Sequence, residues 1–520
     1  MKKKLFAAIG ATTLILAGCS GTTEVKQVGP STGTTQEPLI EAVAIDAPMP
    51  AIPAGLESYY EQDINESDCD MGLKCGTIEV PLDYNNPDAA SIEIAYAKRP
   101  ASGESIGALL VNPGGPGGTG QDMAAYAQYY FSKDILASFD IIGFDPRGVG
   151  ESAPVSCVDD DVLSDLLEAS YPDTPEGEAQ EKADADLLIA GCEERSGDLL
   201  HFIGTEEAAR DMDVLRHVFG DPQLYYVGFS YGTKLGGMYA ELYPENVGRL
   251  VLDGAVDSAI SNFEQDLTQI QGFELALDNY LTDCLASTDC PFDGTIDDAR
   301  AEIDAMLADS LENPLPTDDP DRMLTQSGLM IGIITPLYDD MSWPMLSDAF
   351  EEVKEDGTGS DFLQLFDWYT GRNPDGSYED NSNEAIIAIN CADAVIEGDE
   401  EIWKEQSDQM AQEAPLFGKY MGYSGYMCQN WPRDGREVIT EFNAVGSAPI
   451  VVVGTVGDPA TPYEWSIAFA DDFDNAVLVT WEGEGHTAYG RAGDCINDAL
   501  DLYLLTGQVP EDGLTCGADE

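Results

Sequence analysis

The stretch GFSYG at residues 228–232 restricts the fold of this chain more than any other segment. It fits the pattern G-x-S-x-G and lies between an apolar, strand-like run at 224–227 and a helix-like run at 233–243. A strand that turns directly into a helix strains the central residue and leaves room only for glycine on either side. The pattern predicts that Ser230 stands on a sharp turn, as a nucleophile would.

A glycine-rich loop follows an earlier apolar run. Residues 108–111 read as a strand and lead into NPGGPGGTG at 112–120. Backbone N–H groups in such a loop can approach a ligand closely, because glycine has no side chain. We expect Gly115 in this loop and Tyr231 after the serine to donate N–H groups to an oxyanion. The alternative is a flexible turn that binds nothing.

The candidate acid and base lie near the C-terminus. Asp458 occurs in the turn GDPATP after a predicted strand, and His486 occurs in the loop GEGHT after the next one. The other histidines, His201 and His217, precede the serine, whereas this type of turn is followed by its acid and then its base. A serine hydroxyl needs a base to remove its proton and a carboxylate to orient that base. We therefore predict a triad of Ser230, Asp458 and His486.

Strand and helix signals alternate after Cys75, which predicts an α/β fold with a mostly parallel sheet. Between 258 and 443 the periodicity is mostly helical, with candidate helices at 263–285, 296–311 and 343–353. We predict a core of residues 51–257 and 446–520, interrupted by a helical cap at 258–445. The predicted strands cover residues 76–81, 91–97, 108–111, 141–145, 224–227, 247–252, 449–454 and 476–481.

The N-terminus has the pattern of a bacterial lipoprotein signal. Three lysines precede an apolar run at 5–16, and small residues lead to Cys19. We expect residues 1–18 to be a signal peptide and Cys19 to carry lipid; an ordinary signal with an incidental cysteine is the alternative. Residues 19–50 are typical of a flexible tether. No later run approaches the roughly 20 apolar residues of a membrane helix, so we expect a lipid-anchored envelope protein outside the cytoplasm.

Ten cysteines remain once Cys19 is set aside from the 11, an even number that suits disulfides in an exported chain. Irregular spacing and only three histidines argue against a zinc site, and we expect no metal or cofactor. Sequence alone does not prove the pairing. We expect neighbours along the chain to pair, as Cys69–Cys75, Cys157–Cys192, Cys284–Cys290, Cys391–Cys428 and Cys495–Cys516.

The charge of the chain is strongly negative. Its 97 acidic and 24 basic residues give a formal net charge of −73, so most carboxylates must be solvated surface. Such a surface argues against binding to nucleic acid or to anionic lipid. Two explanations of this negative charge fit equally well. One is a saline habitat, and the other is selection for a very soluble extracellular protein.

From about Cys69 to Cys516 the chain resembles the secreted tripeptidyl-aminopeptidase and carboxylesterase A group of α/β-hydrolases. That group lies in the peptidase family that also holds the proline iminopeptidases. The motifs that carry the resemblance are VPLDY at 80–84, NPGGPGG at 112–118, DPRG at 145–148, GFSYGT at 228–233, GDPATP at 457–462, GHT at 485–487 and the closing Cys495–Cys516 segment.

The resemblance implies an α/β-hydrolase fold and cleavage of peptides from a free N-terminus beneath a helical cap. It also implies that Thr461 supports the site. Proline iminopeptidases usually have histidine at the start of the oxyanion loop, where this chain has Pro113, so a proline-specific activity is not favoured. Asp393 in the cap could hold a substrate ammonium group; the commoner role for such a residue is a solvated or structural carboxylate.

Two classes of function are open to such a chain. One is an acyl-transfer hydrolase, in which an aminopeptidase is favoured over a carboxylesterase or an endopeptidase that processes envelope proteins. The other is a catalytically silent envelope-binding protein, since a fold does not fix a function. The presence of all three triad residue types in the required order favours the enzyme. We expect a monomer that acts on a peptide or protein substrate.

Overall fold

A mixed sheet of ten strands forms the centre of the described chain, which in this computed structural model comprises residues 40–396, 398–421, 424–432 and 438–518. The strands are β1 (Ser67–Asp68), β2 (Lys74–Pro81), β3 (Ser91–Arg99), β4 (Ala108–Asn112), β5 (Asp140–Phe144), β6 (Leu224–Phe229), β7 (Val247–Asp253), β8 (Ile450–Gly457), β9 (Ala476–Glu484) and β10 (Leu514–Gly517). Their order across the sheet is β1-β2-β3-β5-β4-β6-β7-β8-β9-β10. The pairs β1/β2, β2/β3 and β3/β5 are antiparallel, and the other neighbours are parallel.

Seventeen α-helices accompany this sheet in the same residues. They are α1 (Glu57–Tyr60), α2 (Gly120–Ala125), α3 (Lys133–Ser138), α4 (Asp160–Leu167), α5 (Pro175–Ser196), α6 (Thr205–Val218), α7 (Tyr231–Leu242), α8 (Asn262–Ala286), α9 (Ile296–Glu312), α10 (Gln326–Ile334), α11 (Trp343–Glu355), α12 (Ser360–Thr370), α13 (Ser382–Asp393), α14 (Glu400–Glu413), α15 (Ser424–Cys428), α16 (Tyr463–Asp472) and α17 (Asp494–Thr506).

The central strands are buried on both faces. Every residue of β4, β6 and β7 is buried, as expected for parallel strands covered by helices on each side. Side chains alternate between the two apolar layers: Leu110 and Tyr226 belong to one, and Leu109 and Val227 to the other. The predicted α/β architecture with a mostly parallel sheet is therefore confirmed.

The sheet is interrupted between β7 and β8 by the helices α8 to α15, which we call the cap. The predicted helices in this stretch correspond to α8, α9 and α11, whereas α10 and the helices α12 to α15 had no counterpart in the prediction. The cap has an apolar core of its own, formed mainly by residues of α8 to α12. A separate core explains why so long an insertion leaves the sheet intact.

A second chain segment packs on the cap, and the sequence prediction had assigned it to the core. Helices α4 and α5 lie between β5 and β6 in the chain. The loop that joins them is hydrogen-bonded to the cap, because Ser327 N donates to Ser170 Oγ at 3.0 Å. Farther along α5, Tyr426 Oη of the cap donates to Glu178 Oε1 at 2.9 Å. The helical layer over the site is thus built from two parts of the chain, not from residues 258–445 alone.

The predicted tether of residues 19–50 extends too far at its C-terminal end. Val43 N donates to Leu505 O at 2.8 Å, and Ile45 N donates to Tyr225 Oη at 2.8 Å. Ile40 and Ile45 pack against the apolar core. The overall composition of residues 19–50 is typical of a tether, but the few apolar residues near its C-terminal end are enough to pack that end against the core. The predicted signal peptide, residues 1–18, and Cys19 lie outside the described residues.

Five disulfides join the predicted partners: Cys69–Cys75, Cys157–Cys192, Cys284–Cys290, Cys391–Cys428 and Cys495–Cys516. The predicted pairing is confirmed. Disulfides persist in oxidising compartments, so the protein fits an extracytoplasmic location. Among the helices of the described residues, none has the length and apolar character needed to cross a membrane.

Candidate active site

Ser230 occupies the sharp turn that the sequence predicted, between β6 and α7. Its backbone has φ 56° and ψ −126°, a strained conformation for a residue with a side chain. The turn is fixed from both sides, because Ser230 N donates to Asp253 O at 2.9 Å and Thr233 Oγ1 donates to Ser230 O at 2.6 Å. A Cβ on Gly228 would lie 2.3 Å from Gly232 O, so only glycine fits at that flank.

His486 and Asp458, which are 28 residues apart, meet as the sequence predicted. His486 Nδ1 lies 2.9 and 3.0 Å from the two carboxylate oxygens of Asp458. That carboxylate also accepts hydrogen bonds from the backbone N–H groups of Ala460, Thr461 and Thr487 at 2.8 to 3.1 Å. Thr461 Oγ1 donates to Asp458 Oδ2 at 3.0 Å. When Nδ1 carries its proton toward Asp458, the imidazole presents Nε2 as the basic nitrogen.

Asp253 joins the serine turn to the histidine loop. It ends β7, and its backbone oxygen accepts from Ser230 N. Its carboxylate accepts from the backbone N–H groups of Ala488 and Tyr489, at 3.0 and 2.7 Å. Burial raises the pKa of the Asp253 carboxyl to about 6, and the two backbone donors oppose that rise. The segment after His486 is therefore held against the strand that supports Ser230.

The position after Asp253 brings the imidazole close to the serine turn. A Cβ on Gly254 would lie 3.3 Å from His486 Cε1 and 3.0 Å from Thr461 Oγ1. Because Asp253 and Gly254 are adjacent in the chain, the nucleophile turn, the acid and the base all gather at the carboxyl end of β7. This is the edge at which open α/β sheets bind their ligands.

The cap also contacts the histidine loop. His486 N donates to Tyr338 O at 2.8 Å, and the Tyr338 and His486 rings meet edge to face with centroids 5.6 Å apart. Arg491 Nη1 donates to the backbone oxygens of His486 and Thr487, at 2.8 and 2.9 Å. Arg491 Nη2 donates to Asp339 Oδ1 of the cap at 3.1 Å. The orientation of the base thus depends on the cap as well as on the sheet.

The glycine-rich loop lies against the serine turn. A Cβ on Gly114 would lie 2.8 Å from Ser230 Cβ and 3.1 Å from Tyr231 N, and its φ of 97° also favours glycine. Gly118 N donates to Gly114 O at 3.1 Å and closes the loop. Gly115 N has no hydrogen-bond acceptor within the described chain, and Tyr231 N opens α7, where a helix has no acceptor of its own. Neither N–H group is thus bound to an acceptor of the described chain, and Gly115 and Tyr231 line the same cavity as Ser230.

A cavity of about 800 Å³ lies between this site and the cap. The core contributes Gly115, Ser230, Tyr231 and Lys234 to its wall. The cap contributes polar and aromatic side chains, among them Gln265, Asp266, Tyr338, Asn390 and Trp403. The cavity is large enough for a substrate of several residues, since ligand pockets commonly measure about 300–1,000 Å³.

Asp393 lies in the cavity wall, but its carboxylate is already bound. Oδ1 accepts from Thr205 N at 2.9 Å, and Oδ2 lies 3.1 Å from Lys234 Nζ. The Thr205 hydroxyl also donates to Oδ2. The structure supports the alternative that the sequence left open, a structural carboxylate that caps α6, over a group that binds a substrate ammonium.

Sequence reasoning missed three residues that shape this site. Asp253 could have been found, because a carboxylate ends an apolar strand at the edge where ligands bind. Lys234 carried a weaker signal, a cation four residues after the nucleophile in a chain with few cations. Arg491 carried none, since its link to the cap joins it to Asp339, 152 positions away in the sequence.

Comparison with known proteins identifies relatives over most of the chain. Residues 414–516 match a family model described as TAP-like protein. Serine protease Hip1 from Mycobacterium tuberculosis is 35% identical over 463 residues, which cover 86% of this chain and 87% of that protein. Carboxylesterase B from the same species is 35% identical over 454 residues, 85% of this chain and 86% of that protein. Tripeptidyl aminopeptidase from Streptomyces lividans is 30% identical over 463 residues, 85% of this chain and 83% of that protein.

These relatives agree with the fold and the site. All three names describe hydrolases, and two of them describe peptidases. The sheet order, the strained serine at the end of β6 and the histidine–aspartate pair after β8 and β9 are features of an α/β-hydrolase. The chain belongs to the TAP-like family of α/β-hydrolases and is a serine hydrolase.

Proposed function

We propose that this serine hydrolase is an aminopeptidase that releases short peptides from the free N-terminus of a substrate. In this proposal Ser230 is the nucleophile, His486 the general base and Asp458 the residue that orients it. The observation that supports these roles best is the His486–Asp458 pair on a loop held against the serine turn through Asp253.

The acylation step follows from this arrangement. Ser230 Oγ attacks the carbonyl carbon of the scissile bond while His486 Nε2 takes the hydroxyl proton. Asp458 stabilises the imidazolium that forms. The N–H groups of Gly115 and Tyr231 donate to the oxyanion, and donors of this kind are worth roughly 3–4 kcal/mol each in transition-state stabilisation. Collapse of the tetrahedral intermediate breaks the C–N bond, and the imidazolium gives its proton to the leaving amine.

Deacylation repeats the sequence with water. His486 takes a proton from a water molecule while the water oxygen attacks the acyl carbon. The imidazolium then gives that proton to Ser230 Oγ as the acyl–oxygen bond breaks. The products are a short peptide with a new carboxylate and a shortened chain. The same acyl-enzyme forms from an ester, which is why a carboxylesterase remains the second candidate and why one relative bears that name.

The charge of the cavity supports an aminopeptidase. Of the charged side chains in its described wall, two are carboxylates, Asp266 and Asp393, and one is an ammonium, Lys234. The wall thus carries one net negative charge, which favours a cationic N-terminus over an anionic C-terminus. One relative is named a tripeptidyl aminopeptidase, which supports the same proposal, and another is named a serine protease, which supports a peptidase in general.

A peptide library with free and acetylated N-termini tests the proposal. We expect cleavage two to four residues from a free N-terminus and at least a 10-fold loss of kcat/KM on acetylation, because acetylation removes the cation. Ser230→Ala, purified in parallel, controls for contaminating peptidases. Equal cleavage of both sets would reject the aminopeptidase and favour an endopeptidase or an esterase.

We also propose that a lipid on Cys19 anchors the mature protein to a membrane as a monomer. The sequence around Cys19 and the disulfides of the body support export. Growth with a clickable fatty acid should label the wild-type protein and leave Cys19→Ser unlabelled. Equal labelling of both, or none of the wild type, would reject the anchor.

A further inference from the structure

Lys234 places a cation in the wall of the cavity next to the nucleophile. It lies in the first turns of α7, four residues after Ser230, and its side chain is 16% exposed. It is the one basic side chain in the described wall of the cavity, in a chain with 24 basic residues against 97 acidic ones. A half-buried position for so scarce a residue type calls for a specific contact.

A closed set of contacts fixes the ammonium group. Lys234 Nζ lies 3.1 Å from Asp393 Oδ2, and Asp393 holds both the backbone N–H and the hydroxyl of Thr205. The Thr205 hydroxyl in turn contacts the Tyr231 hydroxyl at 2.5 Å. Tyr231 and Lys234 lie three residues apart on one helix face. The contacts from Lys234 through Asp393 and Thr205 to Tyr231 therefore return to the helix from which they start. The ammonium therefore keeps a fixed position relative to Ser230.

The described chain uses little of the hydrogen-bonding capacity of this ammonium, and Lys234 lines the cavity. An ammonium has three N–H donors, and Asp393 provides the one acceptor that the described chain offers to Lys234. The Lys234–Asp393 pair is neutral. A neutral oxygen can accept from Lys234 without adding charge, whereas a substrate carboxylate would leave a net negative charge in a buried place. The acceptor that fits best is a carbonyl oxygen.

The position of Lys234 along α7 indicates which carbonyl group of the substrate it can reach. Four residues of helix span about 6 Å, and an extended peptide advances about 3.3–3.6 Å per residue. A carbonyl one or two residues upstream of the scissile bond can thus reach Lys234 while the scissile carbonyl lies at Ser230.

We propose that Lys234 donates a hydrogen bond to a backbone carbonyl oxygen in the acyl part of the substrate and so selects peptidyl over simple acyl groups. This inference rests on the proposed function, since it takes Ser230 as the nucleophile. It assigns Asp393 to holding Lys234 in place.

Two substrates with the same leaving group test it: a tripeptidyl p-nitrophenyl ester and butyryl p-nitrophenyl ester, which lacks an upstream carbonyl. The measured quantity is the ratio of kcat/KM for the peptidyl ester to kcat/KM for the butyryl ester. Lys234→Met should lower this ratio roughly 10- to 100-fold, the range for loss of a hydrogen bond to a charged group. The butyryl ester corrects for any general damage to the site.

Two further variants separate the inference from its alternatives. Lys234→Met combined with Asp393→Asn leaves no unpaired charge and should lower the ratio as much as the single change does. Lys234→Arg should keep the ratio within a few-fold of wild type. A ratio that stays constant in Lys234→Met, or that falls in the single variant and recovers in the double one, would overturn the inference. Hydrolysis of both esters that persists in Ser230→Ala would instead overturn the proposed function, and this inference with it.

Discussion

Thr461 contacts both members of the His486–Asp458 pair. Its backbone N–H and its hydroxyl both donate to Asp458, and the hydroxyl oxygen lies 3.3 Å from His486 Nδ1. With Asp458 bound by four groups besides the imidazole, the carboxylate has one orientation, and the imidazole takes its tautomer from it. The role that the resemblance implied for Thr461 thus has a physical basis in this geometry.

Thr461→Val should lower kcat about 10-fold and leave KM within about twofold, because a hydrogen bond to a charged group is worth about 1.5–3 kcal/mol. Steady-state kinetics on a tripeptidyl ester measures both constants. Thr455→Val is the matched control, since the Thr455 hydroxyl is buried in β8 with no hydrogen-bond partner in the described chain. Equal kcat values for the two variants would contradict the role of Thr461.

Asp221 has a buried carboxyl group, and its titration should make the free energy of unfolding depend on pH. It accepts from Ala108 N at 2.7 Å, and burial raises its pKa to about 7 in spite of that bond and of the nearby Arg216. The folded-state pKa lies above the value of about 3.9 in an unfolded chain. Its contribution to stability is therefore complete below about pH 4 and is lost as the pH rises through about 7.

The free energy of unfolding of Asp221→Asn should rise relative to that of wild type by about 3 kcal/mol between pH 5 and pH 8. The reason is that the amide does not ionise, so the variant does not lose the stability that wild type loses. Urea unfolding of both proteins at the two pH values measures the change. Asp356→Asn, at an exposed position, should show no such trend. A difference between wild type and Asp221→Asn that is the same at both pH values would refute the assignment.

The loop after β9 and the cap act as one element through Arg491. Its guanidinium donates to the backbone of the histidine loop and lies 3.1 and 3.7 Å from the carboxylates of Asp339 and Asp340. Tyr338, next to these carboxylates, accepts the His486 N–H. Any shift of this part of the cap would therefore move the base.

Arg491→Met should lower kcat about 10-fold with little change in KM, because loss of positioning affects the transition state more than ground-state binding. Arg491→Lys should recover part of that loss. The control is Arg300→Met, which removes a cap arginine paired with Glu274 and Asp278, away from the histidine loop. If Arg300→Met and Arg491→Met lowered kcat equally, the contact with the histidine loop would have no special role.

The elements that the sequence predicted are those with local signals. The strand–turn–helix at Ser230 combines an apolar run, two glycines and a helical period within 20 residues. Helix α5 was missed because only five of its 22 residues are buried, so it lacks a clear apolar stripe. Its N-terminal signal was nevertheless present, since Thr174 caps the helix and Pro175 is its first residue. The Lys234–Asp393 pair could not be predicted, because the two residues are far apart in sequence and neither has a local partner.

The whole molecule carries far more negative charge than its ion pairs can balance. With 97 acidic and 24 basic residues, 73 negative charges are not balanced by a positive charge on the chain. Repulsion among them opposes folding and is screened by salt. The charge thus makes the stability depend on ionic strength without any specific salt site.

The melting temperature at pH 7 should rise by several degrees between 0.05 and 1 M sodium chloride, because screening shortens the Debye length from roughly 14 to 3 Å. Differential scanning calorimetry measures it. The same salt series at pH 4 is the control, where many carboxylates are protonated and the rise should shrink. A melting temperature that does not respond to salt at pH 7, or that responds equally at pH 4, would show that charge repulsion is unimportant.

Active-site labelling tests the assignment of Ser230 most directly. A fluorophosphonate probe is added to the folded protein, the labelled residue is identified by peptide mass spectrometry, and peptide hydrolysis is followed in the same sample. We predict one label per chain, on Ser230, with hydrolysis lost in proportion to labelling and no label in Ser230→Ala. Hydrolysis that continues when Ser230 is fully labelled, or a label on another residue, would contradict the assignment.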